Sequence, residues 1–281
     1  MTGSGERTTG NEERPEDGDR PGSGRIDSNI PNVARMYDYY LGGYHNFAVD
    51  REAAEKILAI FPDTPAAAHT NRRFLQRAVR YLAGEAGVRQ FLDIGAGLPT
   101  QGNVHEVAGA GCEVVYVDND PVAVAQARAL VEDLPNVSVA LADLRDPDAL
   151  LADPHVRGHL DLDEPVAILM VSLLHFVPDD AEPGRIVARL RDATAPGSHL
   201  VVSHLTLDGV AEAPASQGQE VYRTSTAPIV PRSRADILRL FEGYDLVEPG
   251  LVWLGEWRPE PDGTPEGVSH GYGAVGVKPK Y

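Results

Sequence analysis

The spacing of apolar residues divides this chain into three stretches. From Met1 to Asp27 the residues are mostly Gly, Ser, Thr, Glu, Asp and Arg. Almost nothing there can be buried to offset ordering entropy, which predicts a disordered tail over 1–27. From 28 to 88 the period is helical. Asn29-Ile30-Pro31-Asn32 supplies turn and cap chemistry, Val33, Met36, Tyr37, Tyr40 and Leu41 fall on one face, and Gly42-Gly43 stops the helix. Asp50 is the expected cap of a second helix, with Ala53, Ala54, Ile57, Leu58 and Phe61 inward and Pro62 at its end. A third helix starts near Pro65 and carries Phe74, Leu75, Ala78, Val79 and Leu82 to the Gly84/Gly87 break.

After residue 89 short apolar runs alternate with amphipathic segments. Strands are predicted at Gln90–Ile94, Glu113–Asp118, Val137–Ala140, Val166–Val171 and His199–His204. Helices are expected between them near 102–110, 121–131 and 147–152, and from Asp180 or Glu182 through Leu190. Such alternation indicates a parallel sheet covered on both faces, an α/β doubly wound domain over 89–281 behind an N-terminal helical cap over 28–88. Asp208–Pro231 lacks clear periodicity and, at its length, reads as a lid-like insertion or a plainly mobile loop. Ser233 caps a helix to about Phe241. Strands Tyr244–Trp253 and Gly271–Val277 then form an expected antiparallel closing pair around the Pro/Gly-rich segment Arg258–Gly267.

Charge and composition narrow the partners. The formal net charge of the 281 residues is −17, of which the first 27 contribute −3, so the remainder is still strongly acidic. Nucleic-acid binding generally relies on a Lys/Arg face, so a nucleic-acid partner is not expected. Cys112 is the single cysteine, which excludes an intramolecular disulfide and a cysteine-cluster zinc site. No run approaches the roughly 18 apolar residues of a membrane span, and the start lacks a signal-peptide core. A cytoplasmic protein without a membrane partner is the expectation. The sequence says nothing about oligomeric state.

Three candidate sites fall at the ends of successive strands, where open parallel sheets bind ligands. In Gln90-Phe91-Leu92-Asp93-Ile94-Gly95-Ala96-Gly97-Leu98-Pro99-Thr100, a buried strand ends in an acid and two alternate glycines that leave room for a nucleotide-like ligand. A tight structural turn would produce the same pattern. Asp118 ends the second strand, 25 residues after Asp93, where a carboxylate can accept from both hydroxyls of a ribose; Asn119 and Asp120 can equally cap the helix at Pro121. Asp143, after the third strand, can accept from the amino group of adenine with Leu144 or Leu141 against the ring, or can serve as a turn residue. Together they favour an adenosine pocket.

Asp93-x-Gly95-x-Gly97, Asp118 and Asp143 resemble the successive motifs of class I S-adenosylmethionine-dependent methyltransferases. More narrowly, Asn32-Val33-Ala34-Arg35-Met36-Tyr37-Asp38-Tyr39-Tyr40-Leu41-Gly42-Gly43, Asn46–Arg51, Gln90–Thr100, Gly102–Glu106 and Tyr116–Pro121 resemble an actinobacterial S-adenosyl methyltransferase family long described as a domain of unknown function. The resemblance runs from about Ile30 to the C-terminus. It implies a mostly parallel seven-stranded sheet and S-adenosylmethionine as cofactor. Asp93, Gly95, Ala96, Gly97, Pro99, Thr100, Asp118, Asn119, Asp143, Leu144 and Ser172 would form its site, with Gly95 to Gly97 at the methionine and ribose, Asp118 on the ribose hydroxyls, and Asp143 with Leu144 around adenine. From their own chemistry, Tyr37 and Tyr44 are candidates to cover the sulfonium through cation–π contact, with core packing the alternative for Tyr37.

The acceptor expected is an unidentified small molecule. Alignment of a nucleophile with the methyl carbon can supply about 7–11 kcal/mol without a dedicated base. His175, in the loop after strand four, is either a general base or a histidine satisfied in a turn. His155 and His159, four apart, are not expected to bind a metal, because Pro154 and Gly158 disfavour a ligating helix face. Two rival functions use the same motifs: an NAD-dependent oxidoreductase, disfavoured by Thr100 where its fingerprint has a third glycine, and a non-catalytic cofactor-binding protein.

Overall fold

In the computed structural model, which describes residues 29–98, 102–260 and 269–280, three helices precede the sheet: α1 (Val33–Tyr40), α2 (Ala48–Ile60) and α3 (Thr64–Gly84). The expected tail over 1–27 lies outside the described residues, as do Pro99 and Thr100. Asn32 caps α1, its side chain accepting from Ala34 N and Arg35 N. Asp50 departs from its expected role, since α2 begins two residues earlier and Asp50 occupies the first turn. It accepts from Phe47 N at 2.7 Å, Asn32 N at 2.8 Å and Arg35 Nε at 2.6 Å. Arg35 and Asp50 are both buried, and such a charge is tolerated only where its lone pairs are used this fully.

Beyond the cap the chain runs β1 (Gln90–Ile94), α4 (Val104–Ala108), β2 (Glu113–Asp118), α5 (Pro121–Val131), β3 (Val137–Leu141), α6 (Pro147–Ala152), α7 (Pro154–His159) and β4 (Val166–Val171). It continues through α8 (Pro183–Asp192), β5 (His199–Leu205), α9 (Glu212–Arg223), α10 (Arg234–Arg239), β6 (Asp245–Leu246), β7 (Val252–Trp253) and β8 (Gly271–Val277). The strand order is β3-β2-β1-β4-β5-β8-β6, with β7 also on β8; β1 to β5 are parallel, and β8 is antiparallel to β5, β6 and β7. The doubly wound α/β fold is as expected, with eight strands where seven were. Pro249 lacks a ladder donor and Gly250 turns left-handed at φ 83°, so Tyr244–Trp253 is split into β6 and β7, two short pieces at separate positions along β8.

Alternation along the strands sends Leu92, Ile94, Val115 and Val117 to one face and Phe91, Val114 and Tyr116 to the other, giving a core on each side of the sheet. A third core under the cap joins Met36, Tyr40, Ala53, Ala54, Ile57 and Ala68. The segment Asp208–Pro231 is not an irregular loop: it contains α9, which packs on α2 and leans on the cap core through Val221 and Tyr222. Its apolar face is too sparse to show as a period, because it covers a cavity as well as a core. No helix among the described residues is long and apolar enough to cross a membrane.

Candidate functional site

The sheet order reverses between β1 and β4, and the crevice at their carboxyl ends is where such folds bind ligands. A cavity of about 600 Å³ opens there, roofed by α1, α3 and α9. Gly95 turns at φ 72°, and a Cβ on it would come within 2.5 Å of Leu173, so only glycine lets the loop pass this close beneath the cavity. Gly97 follows at φ 66° and donates its N–H to Asp118 Oδ2 at 2.7 Å; Asp120 N donates to Oδ1 at 2.8 Å. Burial raises the Asp118 pKa, and these backbone donors oppose the shift. A third backbone bond, from Asn119, also lowers it, so about one of the carboxylate's four lone-pair sites is left for a ribose hydroxyl.

Asp93 is buried at the end of β1. Desolvation pushes its pKa up to about 7, against the Arg72 charge and with help from Asp118. Arg72, on α3, also lines the cavity and donates to Gly102 O at 3.3 Å. Asp143 and Leu144 line the far end. Asp143 is held by Arg145, whose Nε lies 3.0 Å from both carboxylate oxygens and whose N–H donates to Oδ1 at 2.9 Å. The Arg145 bond, assisted by one from Asn119, keeps its pKa low.

Ser172 directly follows β4 at φ 59°, a left-handed conformation that costs a residue with a Cβ about 1–3 kcal/mol. The conformation is held by a bond from Ser172 N to Ser203 Oγ at 2.8 Å. From there a polar chain runs to the cap: Ser203 Oγ donates to Asn71 Oδ1 at 2.5 Å, Asn71 Nδ2 donates to Tyr37 Oη at 2.8 Å, and Tyr37 donates to Ala68 O at 3.1 Å. Tyr37 thereby lines the cavity, joined to the sheet.

Two expectations are corrected. Tyr44 is 94% exposed and does not line the cavity. Asp38, buried beneath the Gly42-Gly43 turn, takes His45 N and Asn46 Nδ2, both at 2.8 Å, and that fold of the chain leaves Tyr44 in solvent. His175 does line the cavity, but its Nδ1 accepts from Leu205 N at 3.2 Å, which places the ring proton on Nε2. Desolvation, with His204 and Arg232 nearby, drives its pKa well below the usual value. It is the satisfied histidine of the two alternatives, not a general base. His155 bonds Ser138 at 3.0 Å, and no metal-binding cluster occurs among the described residues.

Arg72, Asn71, Ser203, His204 and His270 also line the cavity and were not singled out from the sequence. They come from α3 and the far strands, outside any local motif. Arg232 is buried behind them, donating to Leu174 O, Val177 O, His204 Nε2 and Asp179 Oδ1, and so ties the β4 loop to β5.

A family described as S-adenosyl methyltransferase matches residues 19–279. The chain belongs to this family. The match begins upstream of Ile30, where the resemblance in the sequence was placed. Among solved structures, a Streptomyces avermitilis protein of the DUF574 family is 38% identical over 91% of this chain and 100% of its own, with a TM-score of 0.85. A candidate methyltransferase from Thermobifida fusca is 40% identical over 92% of this chain and 98% of its own, with a TM-score of 0.84. No curated protein matches the sequence. The protein is thus a methyltransferase of this actinobacterial family, with S-adenosylmethionine as its cofactor, and the oxidoreductase alternative falls away.

Proposed function

We propose that this methyltransferase carries a methyl group from S-adenosylmethionine to a small, uncharged and largely apolar acceptor. The observation that carries the reading is the distribution of charge around one continuous cavity. Asp93, Asp118, Asp120, Asp143, Arg72 and Arg145 stand on the side of β1, β2, β3 and α3, while Arg35 and Asp38 line it from α1, the first paired with Asp50 and the second taking His45 N and Asn46 Nδ2. From Ser172 to the C-terminus no Asp, Glu, Lys or Arg among the described residues lines it.

The charged side suits a ligand with its own charges and ribose. Asp118 takes a ribose hydroxyl. Asp143 and Leu144 frame the adenine with Asn119 beside them, Arg72 pairs with the methionine carboxylate, and Asp93 faces the cationic amino and sulfonium groups. The uncharged side, from Leu205, Leu207, Ala215, Tyr222 and Ile229, would strand an ion without a partner and so selects a neutral acceptor. The helix α9 covers that side as a lid, and together with Tyr37 it excludes water from the transfer. Bound S-adenosylmethionine supplies the activated methyl; the chain supplies orientation.

Calorimetry against S-adenosylmethionine, S-adenosylhomocysteine and NAD, followed by a methyl-transfer assay on matched neutral and charged metabolite fractions, tests the reading. Binding of the first two without NAD, and transfer confined to the neutral fraction, is expected. Transfer to the charged fraction alone refutes the acceptor class.

A further inference from the structure

We propose that His270, backed by Asp63, is the proton acceptor for a hydroxyl group on a flat, neutral acceptor, an inference that rests on the methyl-transfer reading above. His270 directly precedes β8, and Gly271 pairs with Leu205 at the carboxyl end of β5, so the imidazole stands at the ligand-binding mouth of the sheet and lines the uncharged part of the cavity. Its backbone lies in the left-handed region at φ 43°, and its carbonyl accepts from Thr206 N at 3.0 Å.

Three histidines line the cavity, and their hydrogen bonds separate them. His175 spends Nδ1 on a backbone N–H, leaving a donor at Nε2. His204 has both nitrogens committed, Nδ1 to Leu205 O at 2.7 Å and Nε2 to Arg232 at 3.0 Å. His270 has the opposite polarity to His175. Its Nε2 lies 2.8 Å from Asp63 Oδ1, so the ring proton is on Nε2 and the lone pair of the neutral ring is on Nδ1. No hydrogen bond to that Nδ1 is found among the described residues. Asp63 stands behind the cavity wall, just before α3, where it stabilises the ring once a second proton arrives.

The surroundings define the acceptor. Phe61 stands edge-on to His270 with ring centroids 5.7 Å apart, and Phe176 and Tyr222, 6.1 Å apart, line the same chamber. Aromatic walls with one proton-accepting nitrogen fit a phenol-like molecule. In the transfer, the acceptor oxygen forms a bond to the methyl carbon while the carbon–sulfur bond breaks and its electron pair passes to sulfur, giving S-adenosylhomocysteine. The hydroxyl proton moves to His270 Nδ1, and the imidazolium, paired with Asp63, loses it to solvent after product release.

The chromophoric phenol 4-nitrophenol tests this without knowledge of the natural acceptor. It is added to the full-length protein saturated with S-adenosylhomocysteine, at a pH just below its solution pKa, and the visible phenolate band is read with binding followed separately by calorimetry. The expected result is a phenolate band above that of free 4-nitrophenol. His270→Asn, chosen because Asn tolerates a positive φ, should still bind S-adenosylhomocysteine while the phenolate-to-phenol ratio falls about tenfold, the scale of one pKa unit. Asp63→Asn should lower it in the same direction. An unchanged ratio in His270→Asn overturns the proposal, as does a phenol that fails to bind a protein holding S-adenosylhomocysteine. Failure of wild type to bind S-adenosylhomocysteine at all would instead remove the methyl-transfer reading.

Discussion

Asn32 Nδ2 donates to Asp120 Oδ2 at 2.8 Å across 88 positions of sequence. The other end of each side chain caps its own helix: Asn32 Oδ1 takes Ala34 N at 2.9 Å, and Asp120 Oδ1 takes Val122 N at 2.8 Å. One bond therefore joins the start of the cap to the start of α5 beside Asp118. Pro31 O accepts from Thr226 N at 2.9 Å, which brings the turn after α9 to the same point.

Removing that joint should loosen cap and cofactor together. Asn32→Ala is expected to cost about 1 kcal/mol of stability through the lost cap and to weaken S-adenosylhomocysteine binding as well. Asn32→Asp keeps the cap acceptor but sets a second carboxylate against Asp120, so its binding loss should exceed its stability loss. Paired thermal melts and calorimetry measure both. Wild-type affinity in both variants would show that the cap does not act on the cofactor.

Asp118 orders the glycine loop through Gly97 N and lines the cavity. Asp118→Ala should weaken S-adenosylhomocysteine binding by about 1.5–3 kcal/mol, the scale of hydrogen bonds to a charged group. An unaltered dissociation constant in the folded variant would place the ribose elsewhere.

The Asp93 pKa is raised in the fold to about 7, from an ordinary 3.8. The native state therefore holds a proton that the unfolded chain has released, and between those values stability falls as pH rises. The penalty is absent below the unfolded pKa, is fully developed above about 7, and amounts to a few kcal/mol at most. Asp93→Asn should flatten this part of the pH–stability curve and raise apo-protein stability at pH 8. Because a cationic ligand favours the ionised form, S-adenosylmethionine binding should release protons near pH 6, detectable by calorimetry in buffers of different ionisation enthalpy. A pH–stability curve identical in wild type and Asp93→Asn would contradict the assignment.

Tyr37 and Tyr44 should behave oppositely. Tyr37→Phe leaves the Asn71 amide in the Ser203–Asn71–Tyr37 chain without its acceptor, at an expected cost of about 1–3 kcal/mol by denaturant unfolding. Tyr44→Ala removes a ring from solvent and should change stability by less than about 0.5 kcal/mol, with cofactor affinity untouched. A large destabilisation by Tyr44→Ala would point to a contact of that ring outside the described residues.

The nearly equal legibility of the strands and the glycine loop has one cause. Gln90–Ile94, Asp118 before Pro121, and the alternating helices depend on neighbours within a few positions, so period, caps and strand ends are written in the sequence itself. The same holds for Asp93, Gly95, Gly97, Asp118 and Asp143, which sit where strands stop. Local pattern did not reveal α9, because its weak apolar face is directed at a cavity, nor the division of Tyr244–Trp253 into two strands, which depends on where β8 lies alongside.

The polarity of each histidine also escaped the sequence. His175 looks like a base until Leu205 N is found on its Nδ1, and His270 looks like nothing until folding brings it beside Asp63, 207 positions away. Chain order determined the fold class and the charged wall of the cavity at the ends of β1 to β3. Packing between distant segments decided the uncharged wall of the cavity and the state of its protons, because hydrogen bonds fix a tautomer, and their partners there come from remote parts of the chain.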